Sequence, residues 1–359
     1  MRLTAILLAG IMAFAAVPAH ALTVGDAEAI EPVKRVIAGF IQPEFSRFAE
    51  NAELASVAVS TLCEQPSERR LGSARQAFRD SALSFARIEF LRTGPLAKDN
   101  RLERLLFWPD RKGVALRQVQ AAIATGDESV TDAAALPAKS VALQGFTALE
   151  YLLFGTGSDE MAKQDGQRCA FAAAVAGNIH SIAEKLAAEW NDPQGYAAIW
   201  AEPGPDNEAF RNVEEAVGEL ISIPSEAFEI IRDQRLKPIL PEDGEPNRKQ
   251  ALFWRSGLTM EFAQAGFEAL RAYFEASQMG SLLTDDERWQ TRSIEFEFGN
   301  AERTFERLGL PIEDVLADPD RTKDLQYLVI LSQSLQRMFG EQLTATLGLS
   351  VGFSSLDGD

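Results

Sequence analysis

Apolar residues recur at the spacing of an α-helix along almost the whole of this 359-residue chain. The last long segment shows the pattern most clearly, with Leu325, Leu328, Leu331 and Leu335 three to four positions apart. Because side chains at this spacing share one face of a helix, the pattern predicts an amphipathic helix with one buried face. Similar stripes run near residues 44–63, 70–91, 114–124, 140–154, 168–190, 208–233, 258–277 and 288–308. Convincing strand alternation is absent from the sequence, so we expect an all-α fold of packed helical bundles.

The clearest interruption of the helical pattern lies at residues 191–207, which are rich in proline and glycine. We therefore expect an N-terminal helical bundle at 22–190, a linker at 191–207 and a C-terminal bundle at 208–359. The segments GFTAL (145–149) and GFEAL (266–270) form a faint internal echo, which a duplicated bundle would produce.

The first 21 residues have the composition of an export signal. Arg2 precedes an apolar stretch too short to span a membrane, and Ala19 and Ala21 supply the small residues that signal peptidase needs. We expect cleavage after Ala21. The residue directly after the cleavage site is not cysteine, so a lipid anchor is not expected, and no later run is long and apolar enough to cross a bilayer. The mature protein is expected to be periplasmic, without membrane insertion.

The charge of the chain is strongly negative, with 53 acidic against 35 basic residues and a formal net charge of −18. Removal of Arg2 with the signal makes the mature protein more negative still. Such a surface repels nucleic acid and anionic lipid, so nucleic acid is not expected as a partner.

Cys63 and Cys169 are the only cysteines. In an oxidising compartment an even pair favours a disulfide, and the two residues are too far apart for a redox CxxC motif. The bond would close a loop of about 106 residues and stabilise the fold by roughly 4–5 kcal/mol in the chain-entropy model.

Most catalytic signatures are missing from the sequence. His180 is the only histidine beyond the signal, and HExxH, GxSxG, GxGxxG and Walker A sequences are absent. The usual zinc-protease, serine-hydrolase and nucleotide-binding chemistries therefore have no support.

One carboxylate, Glu150, lies in the otherwise apolar stretch QGFTALEYLLFG (144–155). A buried, ionised Glu costs several kcal/mol unless a partner compensates it. On a helix, Thr147 and Glu150 share a face, and Gly145 permits a close approach at its start. Two interpretations are open: a pocket in which Glu150 holds a cation or polar ligand, or a structural carboxylate tied to an Arg or a helix N-terminus.

The stretch GFTALE (145–150) resembles the GxHxxE motif of the imelysin family, exported bacterial proteins linked to iron uptake. The resemblance implies an all-α fold of two helical bundles, with the motif near their interface. Some relatives have been classed as metallopeptidases, and others act beside periplasmic iron-acquisition systems. The resemblance to the family extends through GPLAKDNRLERLLFWPDRKG (94–113), ALEYLLFG (148–155), LFWRSGLTMEF (252–262) and GLSVGFSSLDGD (348–359).

The chain departs from the motif at Thr147, which stands where the family has His. In the family motif, the His and the Glu three residues later would hold a metal together. A hydroxyl is a weak neutral ligand that cannot replace imidazole, so this chain keeps the Gly and the Glu of the motif, as Gly145 and Glu150, but not that pair of metal ligands. Metallopeptidase activity and a zinc or copper site are therefore not expected.

Two arrangements around Glu150 remain open. Glu89, Asp110 or another acid across the bundle would join it in a carboxylate site for a hard cation such as iron(III) or calcium, with Glu150 as the metal ligand. Alternatively, Arg255 and Ser256 of the second block pair with Glu150 across the interface, which leaves the cleft for an organic ligand or a partner protein.

We therefore expect a non-enzymatic, imelysin-like protein of iron or other metal acquisition. Its expected partners are iron or a small ligand, and periplasmic or outer-membrane proteins of metal uptake; no particular cofactor follows from the sequence. The alternatives are an imelysin-type metallopeptidase with an altered site and a structural scaffold for periplasmic partners.

Overall fold

The computed structural model describes residues 22, 24–110, 112–164, 166–240, 246–309 and 311–349, and every regular element within them is helical. The predicted all-α fold is confirmed. The predicted signal peptide and the last ten residues of the chain lie outside the described residues. None of the described helices combines the length and the apolar character that crossing a membrane requires.

The described residues form fifteen α-helices, linked by π-helical and 3-10 turns. The α-helices are α1 Asp26–Ala29, α2 Glu31–Val36, α3 Gln42–Glu64, α4 Glu68–Ala86, α5 Arg101–Leu105, α6 Val114–Thr125, α7 Gly145–Phe154, α8 Gln167–Asn191, α9 Tyr196–Ala201, α10 Val213–Ile230, α11 Thr259–Ser277, α12 Trp289–Leu308, α13 Ile312–Ala317, α14 Pro319–Arg337 and α15 Thr344–Thr346. The π-helical turns are Ile37–Ile41, Ile231–Leu236 and Met338–Leu343. The 3-10 turns are Gly94–Asn100, Glu128–Val130, Leu136–Ala138, Val141–Leu143, Ser158–Ala162, Lys237–Ile239, Arg248–Gln250 and Met279–Leu282.

The first bundle is built on α3, which packs against α4 and α8, while α7 packs between α4 and α8. Phe48 of α3, Phe85 of α4 and Phe146 of α7 meet in its core, with ring centroids 5.2–6.2 Å apart. Cys63 and Cys169 form a disulfide between the end of α3 and the start of α8, with Cα atoms 5.5 Å apart. The predicted pairing is confirmed.

The second bundle packs α14 against α10 and α12, with α11 beside α12. Phe228 of α10 lies at its centre, with ring centroids 5.4 Å from Phe267 of α11, 5.9 Å from Phe298 of α12 and 6.2 Å from Phe339. These aromatic side chains are buried, so the apolar stripes predicted from the sequence face one another.

Two helices connect the bundles. Helix α11 also packs against α4 of the first bundle, and α2, near the start of the chain, packs against α10 and α11. Buried apolar residues from both halves form one continuous core. The division into domains at 191–207, and a duplication, stay predictions.

Candidate functional site

Helix α7 begins at Gly145 in a conformation that only glycine adopts easily, with φ of +72°. A Cβ atom here would lie 2.3 Å from the carbonyl oxygen of Leu105 and 2.4 Å from that of Arg104. The preceding Gln144 is buried, and its side-chain oxygen accepts a hydrogen bond of 3.1 Å from Arg104 Nε. The glycine therefore lets α7 begin directly against the end of α5, which fixes where its side chains point.

Glu150 is buried on α7, with 4% of its surface exposed, and its carboxylate is compensated from the second half of the chain. Its Oε1 accepts hydrogen bonds from the backbone N–H and the hydroxyl of Ser256, both at 2.9 Å. Its Oε2 lies 4.0 Å from Arg255 Nη1. Burial raises the pKa of Glu150, and the contacts with Ser256 and Arg255 oppose this rise. The carboxylate thus joins α7 to the segment that precedes α11.

A strained turn presents Arg255 and Ser256. Phe253 has φ of +59°, a left-handed conformation that costs a non-glycine residue free energy, and Gly257 has φ of +72°. The Phe253 ring is buried and lies edge-on to Phe146 of α7, with centroids 6.4 Å apart. Its packing against the first bundle holds the turn in this conformation.

The guanidinium of Arg255 is held by aromatic rings. Its central carbon lies 4.4 Å from the centroid of Trp254 and 5.4 Å from that of Tyr151, within the range of cation–π attraction. Its contact with Glu150 at 4.0 Å is too long for a hydrogen bond. Within the described part of the chain its side chain donates no hydrogen bond, so its N–H groups are available to a ligand.

A cavity of about 820 Å³ opens between the two halves of the chain beside these residues. Helix α7 contributes Thr147, Glu150 and Tyr151 to its wall, and the turn before α11 contributes Trp254 and Arg255. This volume suits an organic molecule of several rings better than a single ion.

Asp110 and Trp108 also line the cavity. The carboxylate of Asp110 accepts hydrogen bonds from the backbone N–H groups of Val114 at 2.6 Å and Ala115 at 2.8 Å, which satisfies the first turn of α6. The indole N–H of Trp108 donates to the carbonyl oxygen of Gln234 at 3.1 Å. Asp110 is thus engaged with a helix end, and Trp108 links the cavity wall to the second half of the chain.

Glu89 lies apart from the cavity lining. Its carboxylate accepts a hydrogen bond of 2.8 Å from Arg235 Nη2, and both residues are buried. A buried guanidinium requires a counter-charge, and Glu89 supplies it. Of the predicted site residues, the structure therefore brings Thr147, Asp110, Arg255 and Ser256 to the surroundings of Glu150, and places Glu89 in a separate ion pair.

Within the described ranges, no three His, Cys, Asp or Glu side chains form a group able to hold a metal ion. Thr147 Oγ1, at the position of the motif histidine, is buried without a hydrogen-bond partner among the described residues. Glu150 as a metal ligand stays a prediction.

The model of the imelysin (peptidase M75) family matches residues 41–338, most of the chain. The chain belongs to the imelysin family. The resemblance predicted from GFTALE is thereby confirmed at the level of the family, while the role of the motif in this imelysin stays a prediction.

Two solved structures share the fold of this imelysin. An imelysin-like protein from Psychrobacter arcticum 273-4 is 17% identical, with a TM-score of 0.74 over 93% of this chain and 99% of that one. A protein named as an iron-regulated protein A precursor, from Parabacteroides distasonis ATCC 8503, is 15% identical, with a TM-score of 0.67 over 88% of this chain and 96% of that one. No curated protein sequence shows significant similarity to the chain.

Sequence reasoning missed Trp254 and Lys249 as parts of the imelysin cavity. Trp254 precedes Arg255 in the segment that resembles the family, but nothing in its local pattern distinguishes a cavity wall from a core aromatic. Lys249 belongs to a basic loop, 247–250, whose position at the cavity depends on contacts distant in sequence.

Proposed function

We propose that this imelysin is an exported, non-catalytic binding component of iron or other metal acquisition, and that it holds a small organic molecule in the cavity between its bundles. The observation that carries the proposal is that the Glu150 carboxylate is held by protein groups while the cavity beside it stays open. One oxygen of its carboxylate is engaged by Ser256, and the other faces Arg255, while a large cavity lies open beside it.

Thr147 supports the non-catalytic part of the proposal. A metallopeptidase needs a metal with several strong protein ligands and one open position. Thr147 supplies a hydroxyl where the family motif supplies imidazole, and Asp110 is engaged by the first turn of α6. Asp110, which shares the cavity wall with Glu150, therefore has structural partners of its own.

Family membership and the name of one relative support the link to iron. The similar Parabacteroides protein carries "iron-regulated" in its name, and the export signal predicted at residues 1–21 supports a role outside the cytoplasm, where metal uptake begins. A binding protein in such a system would hold a metal-carrying or metal-releasing small molecule.

A cavity-filling substitution tests the proposal. Leu116 lines the cavity, so Leu116→Trp should occupy it, whereas Leu54→Trp adds the same ring at a position that is 62% exposed. A strain lacking the gene should grow poorly under iron limitation. Wild type and Leu54→Trp should restore growth, and Leu116→Trp should not.

Two further results would overturn the proposal. Growth restored by a folded Leu116→Trp variant would remove the cavity from the function. Calorimetric titration of the metal-stripped protein with iron, calcium, copper and zinc salts should show no binding that depends on Glu150. Binding lost in Glu150→Gln would instead establish the carboxylate as a metal ligand.

A further inference from the structure

We infer that the cavity selects an aromatic organic acid, and that Arg255 receives its acid group. The inference rests on the proposed small-molecule function and names the class of molecule that the cavity takes.

The acidic side chains of the cavity wall already have partners. Asp110 accepts hydrogen bonds from two backbone N–H groups at the start of α6. Asp233 is paired with Arg232 at 2.6 Å and with Lys237 at 2.9 Å. Glu150 accepts two hydrogen bonds of 2.9 Å from a single serine. None of the three is left to attract a cationic ligand with its full charge.

The basic side chains of the wall are less well compensated. Lys237 is paired with Asp233, but Lys249 has no ion-pair partner among the described residues, and Arg255 meets a carboxylate only at 4.0 Å. Two basic groups of the wall, Lys249 and Arg255, therefore have no close ion-pair partner among the described residues and are left to meet an anion, in a chain whose net charge is −18. A local positive site in a negative protein attracts small anions and excludes most polyanions.

The geometry of Arg255 specifies the kind of anion. The central carbon of its guanidinium lies 4.4 Å from the centroid of Trp254 and 5.4 Å from that of Tyr151, and its N–H donors point outward in the plane of the group. This fork matches a planar carboxylate or another oxyanion with two exposed oxygens.

The remaining wall specifies the body of the ligand. Trp108 offers a ring surface beside the apolar side chains of Leu116 and Val119, and the buried hydroxyl of Thr147 has no partner among the described residues. Ring surfaces bind flat apolar molecules by stacking, and the volume of about 820 Å³ accommodates more than one ring. An aromatic acid would fill the cavity with its rings and accept the hydrogen bonds of the Arg255 guanidinium with its acid group.

A matched pair of fluorescent probes tests the inference on the mature protein. Anilinonaphthalene sulfonate is an aromatic anion, and N-phenyl-1-naphthylamine carries the same rings without the charge. The anion should bind with one-to-one stoichiometry and about 10- to 100-fold more tightly than the neutral probe, which is the effect of a charge-assisted hydrogen-bond pair. Arg255→Gln should abolish this preference, so that the two probes bind with similar affinity.

Arg248 supplies the matched control. It stacks on the same Trp254 ring at 5.2 Å and pairs with Glu313, but it does not line the cavity. Arg248→Gln should therefore retain the preference for the anion. Arg255→Lys, which keeps the charge and loses the fork, should fall between wild type and Arg255→Gln, and urea denaturation should show that each variant is folded.

The outcomes separate this inference from the proposed function. Equal affinities for both probes, lost together in Leu116→Trp, would overturn the acid preference and leave a cavity that binds small molecules. A preference lost equally in Arg248→Gln and Arg255→Gln would show surface binding and overturn the inference. Absence of cavity-dependent binding by either probe would count against both.

Discussion

Gly145 is the residue at which the candidate site tolerates least change. Its φ is +72°, and a Cβ atom would lie only 2.3 and 2.4 Å from two carbonyl oxygens, so there is no room for a side chain. Gly145→Ala should lower the free energy of unfolding by about 2–5 kcal/mol, the sum of backbone strain and a steric clash. Urea denaturation measures the change.

Gly72 provides the control for this prediction, because it lies within α4 and no heavy atom comes within 4 Å of its Cβ position. Gly72→Ala should leave stability unchanged or raise it by about 0.5–1 kcal/mol through helix propensity. Equal effects of the two substitutions would contradict a special role for Gly145.

The pH dependence of stability should report the burial of Glu150. Burial raises its pKa above the ordinary value of 4.5, so the folded state binds the proton more tightly than the unfolded state. This stabilisation is complete below about pH 4.5 and is lost as the pH rises through the folded-state pKa. The free energy of unfolding of the wild type should therefore fall relative to Glu150→Gln as the pH increases above 4.5.

Gln is suitable here because its side-chain oxygen still accepts from Ser256 and does not titrate. Urea denaturation at a series of pH values gives the comparison, and the exposed Glu53→Gln corrects for the loss of one negative charge. Curves for wild type and Glu150→Gln that stay parallel would show that Glu150 has no raised pKa.

At the scale of elements, the ion pair of Glu89 and Arg235 links the turn after α4 to the π-helical turn Ile231–Leu236. Glu89→Ala leaves a buried guanidinium without its counter-charge and should cost about 3–5 kcal/mol. The double substitution Glu89→Leu with Arg235→Leu should cost less than the sum of the single ones. Denaturation of all three variants gives the coupling free energy.

The exposed ion pair of Lys34 and Glu31 is the control for the buried pair of Glu89 and Arg235. Glu31→Ala should cost less than about 1 kcal/mol, because water screens an exposed pair. Strictly additive effects at Glu89 and Arg235 would mean that their contact contributes nothing to holding the elements together.

The positions of the helices could be predicted from the sequence. The stripe at 114–124 corresponds to Val114–Thr125 and that at 258–277 to Thr259–Ser277, because helical periodicity is a local property of neighbouring residues. The left-handed turn at Phe253 was not accessible. Its conformation depends on the packing of one ring against α7, a contact that no local pattern encodes.

At the scale of the whole molecule, the disulfide of Cys63 and Cys169 spans 106 residues and ties α3 to α8. Replacing both cysteines by alanine should lower the free energy of unfolding by roughly 4–5 kcal/mol, because the unfolded chain gains entropy. Urea denaturation of the double variant and of reduced wild type should agree. A difference below about 1 kcal/mol from the oxidised protein would contradict the prediction.

The site was only partly accessible from the sequence. Arg255 and Ser256 were one of two predicted arrangements for Glu150, because the second block was expected to pack near the motif. The pairing of Glu89 with Arg235 was missed, since a lone acid gives no sign of which distant Arg it meets. The cavity is a property of how the halves pack, so no local sequence pattern reveals its volume or which charged side chains line it.

The position of α2 has a consequence for how the protein is made. This helix lies near the start of the chain, yet it packs against α10 and α11, which follow it by some 180 residues or more. A chain that emerges from the ribosome N-terminus first exposes α2 long before its partners exist. The apolar side chains of Val33 and Val36 therefore lack these two partner helices until the second half of the chain has been made.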